Sequence, residues 1–414
     1  MIIIHHMADQ RLPRLLTGTV QRVARTMPVV VITGARQTGK STLVGDLLPG
    51  SRAYHSLDDL EVRALAERTP DELVERPGAM VLDEVQRVPD LLLAVKRAVD
   101  RGRQPGRFIL TGSANLLLMK AVSESLAGRA SYLSLWPMTR RERLGQGRAG
   151  LWSELLDHPC EQWPELLGDS PAPPADWRTL AAEGGYPVPA VEYTDPTDRA
   201  IWFDGYIRTY LERDLQDLSA IDNLVDFRRL MGAACLRMGQ LVNQTELGRD
   251  VQLPQPTVRR WLNLLEASYQ WVPLPAYAVN RTKRLIKTPK GYWSDTGLAL
   301  RLAGVEGPTG SHLENLVLSD LLAWRDGQVL DRPALFYWRT AGGAEVDFVV
   351  ERGPQLLGIE IKAATRVGPS EAAHLRTFRD EYGSSVHGCL VLHAGDQTEW
   401  LGPRILAAPW WRVL

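Results

Sequence analysis

Apolar residues along this chain fall into distinct patterns, and these set the first expectations. Val29-Val30-Val31-Ile32-Thr33 is continuous and β-branched, the mark of a parallel strand buried on both faces. Two further apolar runs, Ala79-Met80-Val81-Leu82 and Phe108-Ile109-Leu110-Thr111, read the same way. Residues 43–48 and 116–126 read as helices, so the first part of the chain predicts an α/β fold around a parallel sheet. Residues 197–218 have helical periodicity, with Ile201, Tyr206, Ile207, Tyr210, Leu211 and Leu215 on one side.

Residues 228–293 carry a sharper order. A helix over about 228–238 precedes a short helix that starts near Gln244, with Thr245 as its N-cap. Leu253-Pro254-Gln255-Pro256 makes a turn, and residues 257–265 form a third helix. Two extended segments follow, 271–274 and 291–293, around the basic stretch 280–287. This is the order of a winged helix-turn-helix, with the third helix as reader and the basic hairpin as wing. Residues 311–414 read as helix, three strands, helix, strand. Residues 143–178, rich in Gly, Pro, Trp and acidic residues, read as an irregular linker. The expected divisions are 1–142, 143–227, 228–310 and 311–414.

Composition narrows this only a little. The 414 residues are 44% hydrophobic and 23% charged, with a formal net charge of −1. That is ordinary for a globular chain of two or three domains, and any surface for nucleic acid must be a local one. Cys160, Cys235 and Cys389 are far apart and fit no zinc spacing, which predicts reduced thiols and a cytoplasmic protein. No apolar run is long enough to span a membrane. The apolar stretch after Met1 is too short for a signal peptide, and Met7 is the alternative start.

The chemistry begins directly after the first strand. Gly34-Ala35-Arg36-Gln37-Thr38-Gly39-Lys40-Ser41-Thr42 matches G-x-x-x-x-G-K-[ST], the loop whose backbone N–H groups curl around phosphates at a helix N-terminus. Lys40 is expected on the β/γ-phosphates of ATP and Ser41 on Mg²⁺. The second strand ends in Asp83-Glu84. Asp83 is expected to hold the magnesium and Glu84 to polarise the attacking water. Thr111 or Ser113, at the tip of the third strand, is placed to sense the γ-phosphate; a plain strand-end turn is the alternative. Arg129 closes the helix after that strand and is a candidate arginine finger for a neighbouring subunit, which would make the active unit a homo-oligomer with shared ATP sites.

Residues 14–140 resemble the AAA+ superfamily, in the prokaryotic branch that carries a C-terminal DUF4143 region. The phosphate loop, Leu82-Asp83-Glu84-Val85-Gln86, Leu110-Thr111-Gly112-Ser113 and Ser125-Leu126-Ala127-Gly128-Arg129 carry the resemblance, with Gly184-Gly185-Tyr186-Pro187 and residues 206–214 further on. It implies a P-loop AAA+ core.

In the winged-helix stretch, Arg259, Arg260, Lys283 and Arg284 would meet DNA phosphates, and Gln255 or Thr257 would approach base edges. A packing or oligomer surface is the alternative. In the C-terminal stretch, Glu360 and Lys362 are two apart on one strand and so share a face. Asp347 lies on the preceding strand and Glu314 on the helix before it. Such a set can hold Mg²⁺ or Mn²⁺ and activate water against a phosphodiester. The stretch resembles the PD-(D/E)XK nuclease superfamily, which implies metal and catalytic positions at Asp347, Glu360 and Lys362 and a helix carboxylate at Glu314. It departs in one place, where Val346 stands for a proline before Asp347. The leading expectation is an ATP-hydrolysing, DNA-directed protein with a metal-dependent nuclease module. The alternatives are a nucleotide-switched scaffold whose C-terminal fold only binds a partner, and a DNA-binding regulator.

Overall fold

The structure is a computed structural model that describes residues 11–113, 126–170, 173–209, 221, 223–280 and 287–414. Residues 116–125 of the helix expected over 116–126, the residues Tyr210, Leu211 and Leu215, and the wing residues Lys283 and Arg284 lie outside the described residues. The chain divides into two compact units, Met1–Arg148 and Ala149–Leu414.

The first unit is a five-stranded parallel sheet between helical layers. Its strands are β1 (Val29–Thr33), β2 (Ala53–Ser56), β3 (Met80–Asp83), β4 (Phe108–Gly112) and β5 (Ala130–Ser134), in the order β2-β3-β4-β1-β5. Alternation within each strand splits the core in two. Val29, Val31, Met80, Leu82, Phe108 and Leu110 face one side, where the helix Leu91–Arg101 adds Leu92, Val95 and Val99. Val30, Ile32, Val81 and Ile109 face the other, with Leu16, Val20 and Val23 of α1 (Leu16–Ala24). The expected α/β layering is present. The helix over 43–48 is a short α turn, Lys40–Thr42, followed by a wider helical turn, Leu43–Leu47.

The second unit opens with a correction. Residues 143–178 are not an irregular linker. They hold helices Trp152–Asp157 and Trp163–Gly168 and the start of Trp177–Glu183, with Trp152, Trp163 and Trp177 fully buried. The indole of Trp152 donates to Asp320 Oδ1 at 2.6 Å, and that of Trp163 to the Leu155 carbonyl at 2.8 Å. The Trp163 ring lies so close to Gly388 that a Cβ there would stand 2.4 Å from it. Buried aromatic area outweighs the Gly and Pro content that pointed to a linker. In the helix Pro196–Tyr206, Ile201 is 65% exposed. It therefore leaves the apolar face assigned to it, where Phe203 is buried beside Tyr206.

Helices Leu224–Leu236, Gln244–Val251 and Gln255–Ala267 follow in order, then β6 (Trp271–Leu274) paired antiparallel with β7 (Lys290–Trp293). The second helix is capped by Asn243, whose side chain accepts from the Thr245 and Glu246 amides, rather than by Thr245. Gly291 is required, because a Cβ would fall 2.1 Å from the Trp271 ring. The Gly184-Gly185-Tyr186-Pro187 phrase is held by buried Asp295, which accepts from the Gly185 amide at 2.6 Å and caps the helix Thr296–Ala303 through the Leu298 amide.

After the helix Gly310–Gly327, strands β8 (Ala334–Arg339), β9 (Glu345–Arg352) and β10 (Gln355–Lys362) form an antiparallel meander. The helix Ala373–Tyr382 leads to β11 (Val386–His393), parallel to β10. Two strands beyond those expected, β12 (Glu399–Gly402) and β13 (Ile405–Pro409), complete a six-stranded sheet in the order β12-β13-β11-β10-β9-β8.

Candidate functional site: a phosphate loop and a carboxylate cluster

The phosphate loop springs from the end of β1. Gly34 is fixed by space: a Cβ would stand 2.3 Å from the Leu135 carbonyl oxygen. Gln37 and Gly39 adopt positive φ, 63° and 91°, so the chain curls back on itself. Lys40 is buried, and its Nζ donates to the loop's own carbonyls, Gly34 at 3.2 Å and Ala35 at 2.8 Å. Burial lowers the Lys40 pKa to about 8, against the partial opposition of Glu84 and Asp83.

Order among the strands brings the other groups in. Because β4 lies between β1 and β3, its tip stands beside the β3 carboxylates. Asp83 accepts from Ser41 Oγ at 2.8 Å, from the Tyr54 hydroxyl at 2.5 Å and from Thr111 Oγ1. Thr111 Oγ1 in turn accepts from the Glu84 amide at 3.3 Å. Ser113 Oγ accepts from Gln86 Nε2 at 2.9 Å, and Gln86 also reaches the Glu84 carboxylate. Glu84 sits at φ 59°. A non-glycine residue held there stores about 1 kcal/mol or more of strain, which is common where a side chain must be aimed. Lys40, Ser41, Asp83, Glu84, Thr111 and Ser113 therefore share one neighbourhood.

Three residues of this neighbourhood escaped the sequence reading. Buried Arg14 donates to the Thr38 carbonyl at 2.7 Å and the Trp136 carbonyl at 2.7 Å while paired with Glu142 at 3.0 Å. It braces the loop from behind. Tyr54 and Gln86 are the others; Gln86 closes the Leu82–Gln86 phrase but was given no role, and no local motif announces Arg14 or Tyr54. Arg129 stands apart. Its guanidinium pairs with Asp100 at 2.6 Å and its carbonyl accepts from the amide of Val29, the first residue of β1. The loop follows the last residue of that strand, so Arg129 is roughly one strand length, about 15 Å, from its own phosphate site.

In the C-terminal sheet the expected residues also meet. Lys362 Nζ donates to Glu360 Oε1 at 2.7 Å, which confirms their shared face. Asp347 Oδ2 accepts from the Ile361 amide at 2.9 Å across the β9–β10 pair. Tyr292 donates to Glu314 at 3.3 Å. Burial, then the charge of Asp347, raises Glu314 to about 8 and Glu360 to about 7. Among the described residues, with Lys290 lying on Glu345 and Asp347, no group of three His, Cys, Asp or Glu side chains stands arranged to hold a metal ion, so the expected metal site is not shown. A residue the sequence reading passed over supplies the charge. Lys290, at the start of β7, places Nζ 2.5 Å from Glu345 and 3.4 Å from Asp347. Burial alone would lower its pKa, but Asp347, Glu314 and Glu345 outweigh burial, and the net direction is upward.

In residues 228–293, Gln255, Arg259 and Arg260 are exposed and Thr257 is half-buried on the helix whose other face buries Val258, Trp261, Leu262 and Leu265. Gln255 donates to Gln244 at 2.7 Å. Among the described residues no helix is long and apolar enough to cross a membrane.

A parallel sheet carrying this loop, with acidic and hydroxyl groups at the adjoining strand ends, defines an AAA-type P-loop ATPase. Comparison with known proteins agrees. Residues 26–144 match the AAA domain, residues 174–309 a domain of unknown function (DUF8612) and residues 309–413 a domain of unknown function (DUF4143). The chain is 32% identical over 369 residues to uncharacterized proteins of Mycobacterium tuberculosis and Mycobacterium bovis, covering 86% of this chain and 75% of each relative. It belongs to their family, the AAA-type ATPases with a C-terminal DUF4143 domain. An uncharacterized protein of Haemophilus influenzae is 22% identical over 66% of this chain and 63% of its own. Among solved structures, the Walker-type ATPase PABY2304 of Pyrococcus abyssi is similar at a TM-score of 0.41 and 16% identity, covering 71% of this chain and 99% of that one.

Proposed function

We propose that this ATPase acts on DNA, with its winged-helix stretch as the grip and its C-terminal domain as a nuclease-like module. The observation that carries the reading is the helix Gln255–Ala267. Its exposed face offers Gln255, Arg259 and Arg260 while its apolar face is fully used in packing. A reader helix needs that division of labour. The C-terminal order of helix, three-stranded meander, helix and parallel strand, with Asp347 facing Glu360 and Lys362, supports the nuclease-like part. Binding of duplex DNA at low salt tests the grip, because phosphate attraction is strongest there. Arg259→Ala with Arg260→Ala is expected to weaken binding about tenfold and flatten its salt dependence. A wild-type protein without affinity for any DNA at low salt overturns the reading.

At the ATPase centre, Lys40 would leave the loop carbonyls for the β/γ-phosphates. Ser41 and Asp83, already 2.8 Å apart, would hold Mg²⁺, which neutralises phosphate charge when bound. Their hydroxyl and carboxylate oxygens suit that ion. Glu84, aimed by its strained backbone and by Gln86, would orient the attacking water. Thr111 fixes Asp83, and Ser113 steadies the Gln86–Glu84 pair. Arg129 would complete the site of a neighbouring copy, since it stands at the far end of β1 from its own loop.

A second reading is favoured by one observation. The C-terminal carboxylates are met by Lys290 and Lys362, which fits a domain kept for binding a partner in a nucleotide-switched assembly. Nucleotide-dependent assembly together with metal-independent partner capture would select it.

A further inference from the structure

We propose that Lys290 is the resident cation of the C-terminal carboxylate cluster, and that it holds the place a divalent metal would take. The inference rests on the nuclease-like reading of that domain and adds its regulation.

Four carboxylates gather here: Glu314, Glu345, Asp347 and Glu360. Glu314, Asp347 and Glu360 each act on one another or on Lys290 through their charges, and Glu345 is in contact with the ammonium. Two lysines, Lys290 and Lys362, oppose them, so the fully ionised set would carry four negative and two positive charges. Buried charge of that kind must be met by protons or by cations. One atom shows where the set is still short. Glu360 is 5% exposed, its Oε1 accepts from Lys362, and its buried Oε2 has no hydrogen-bond partner. Carboxylate oxygens, one of them unpartnered, are the ligand type of a hard divalent ion, Mg²⁺ or Mn²⁺.

Lys290 is no wandering surface lysine. It is 2% exposed. Its strand is pinned on one side by β6 and by a bridge to Leu241. The neighbouring Pro289 carbonyl accepts from the Val242 amide at 2.9 Å, and the Thr288 carbonyl accepts from the Tyr337 hydroxyl at 2.5 Å. The ammonium is thus delivered to Glu345 and Asp347 by a rigid backbone, and it takes up the carboxylate oxygens that a metal would need. Residue 290 lies in the stretch matched by DUF8612, whereas the four carboxylates lie in the stretch matched by DUF4143. The acidic domain therefore borrows its positive charge from the preceding domain. Withdrawal of Lys290 is the step that would free the site for a metal.

The test uses the full chain without nucleotide, in an Asp83→Asn background that removes the metal carboxylate of the phosphate loop. Free Mn²⁺ is read by electron paramagnetic resonance. With Lys290 present, no Mn²⁺ should bind that a further Asp347→Asn removes. With Lys290→Met, one Mn²⁺ per chain should bind at least about tenfold more tightly, and Asp347→Asn should abolish it. Should Lys290→Met fail to fold, Lys290→Gln replaces it, and the Lys290-containing protein decides by itself. An Asp347-dependent Mn²⁺ in that protein overturns the inference. So does a folded Lys290 variant that binds no more Mn²⁺ than its Asp347→Asn partner. Incubation of the Mn²⁺-loaded variant with linear duplex DNA separates the two readings. Binding without cutting leaves Lys290 as the resident cation and removes the nuclease role; cutting that needs Asp347 supports both.

Discussion

Two buried lysines face acidic groups in this protein, and they have opposite fates. Lys40 lies on the carbonyls of its own loop, and burial brings its pKa down to about 8. Lys290 lies against Glu345 and Asp347, and despite burial its pKa moves up. Desolvation disfavours charge at both. What differs is the partner: carbonyl dipoles at Lys40, carboxylates at Lys290. A lysine held on dipoles is short of negative charge and ready for an incoming phosphate. A lysine held on carboxylates is already matched. The first centre is poised to accept a ligand, and the second is closed on itself.

The largest expected effect breaks the first centre. Lys40→Met should remove tight ATP binding, with affinity down roughly a thousandfold, read by equilibrium binding of a fluorescent ATP analogue; that size follows from the loss of a charge-assisted phosphate contact in a buried site. Unchanged affinity would mean that the loop backbone does the binding alone. Glu84→Gln should keep ATP affinity and lower turnover by about a hundredfold or more, as for loss of a general base or water-orienting carboxylate. Equal turnover in both proteins would remove Glu84 from that role.

The same substitution at the two lysines should move stability in opposite directions. Lys290→Met leaves buried carboxylates uncompensated and should cost about 3 kcal/mol, seen as a lower denaturation midpoint of the second unit. Lys40→Met removes a charge that burial penalises. It should raise the stability of the nucleotide-free first unit by about 1 kcal/mol, after loss of its two carbonyl bonds is allowed for. Equal shifts of the same sign would show that the two lysines differ less than their partners indicate.

The contrast also separates what sequence can reveal from what it cannot. The phosphate loop, Asp83, Glu84 and the Thr111 strand tip were legible because each is a short string tied to a strand end. Arg14 and Tyr54 were not, since they reach the centre only through folding, and Gln86, though inside the Leu82–Gln86 phrase, shows its link to Ser113 only in the fold. Strand β2 escaped because Ala53 and Tyr54 are exposed and its pattern is not apolar. The residues 143–178 were misread because glycine, proline and acidic content was weighed above three tryptophans, all of which are core. In the C-terminal sheet the pairing of Glu360 with Lys362 was legible from period two alone. Lys290 was invisible there, because its role depends on a side chain from another matched domain reaching Glu345 and Asp347 of β9.

The smallest expected effect sharpens the comparison at Lys40 itself. Its folded pKa is depressed from 10.5 to about 8. Between those values the folded, nucleotide-free protein therefore binds fewer protons than the unfolded chain, and this group's contribution to stability rises with pH across the window. Phosphates arriving beside Lys40 favour its charged form and push the pKa back up. At pH 8, where about half of the Lys40 side chains are neutral, ATP binding should draw in roughly half a proton; at pH 7 the uptake should fall to about a tenth. A slowly hydrolysed ATP analogue on the unsubstituted protein suits the measurement, because the Glu84 charge helps to set the Lys40 pKa. Titration calorimetry in two buffers of different protonation heat gives the proton count directly. Buffer-independent heats at pH 8 would mean that Lys40 is fully charged before ATP arrives, and that its place on the Gly34 and Ala35 carbonyls costs it nothing. Uptake that follows the predicted rise with pH would mean that the loop holds its lysine partly discharged and that the substrate restores the charge.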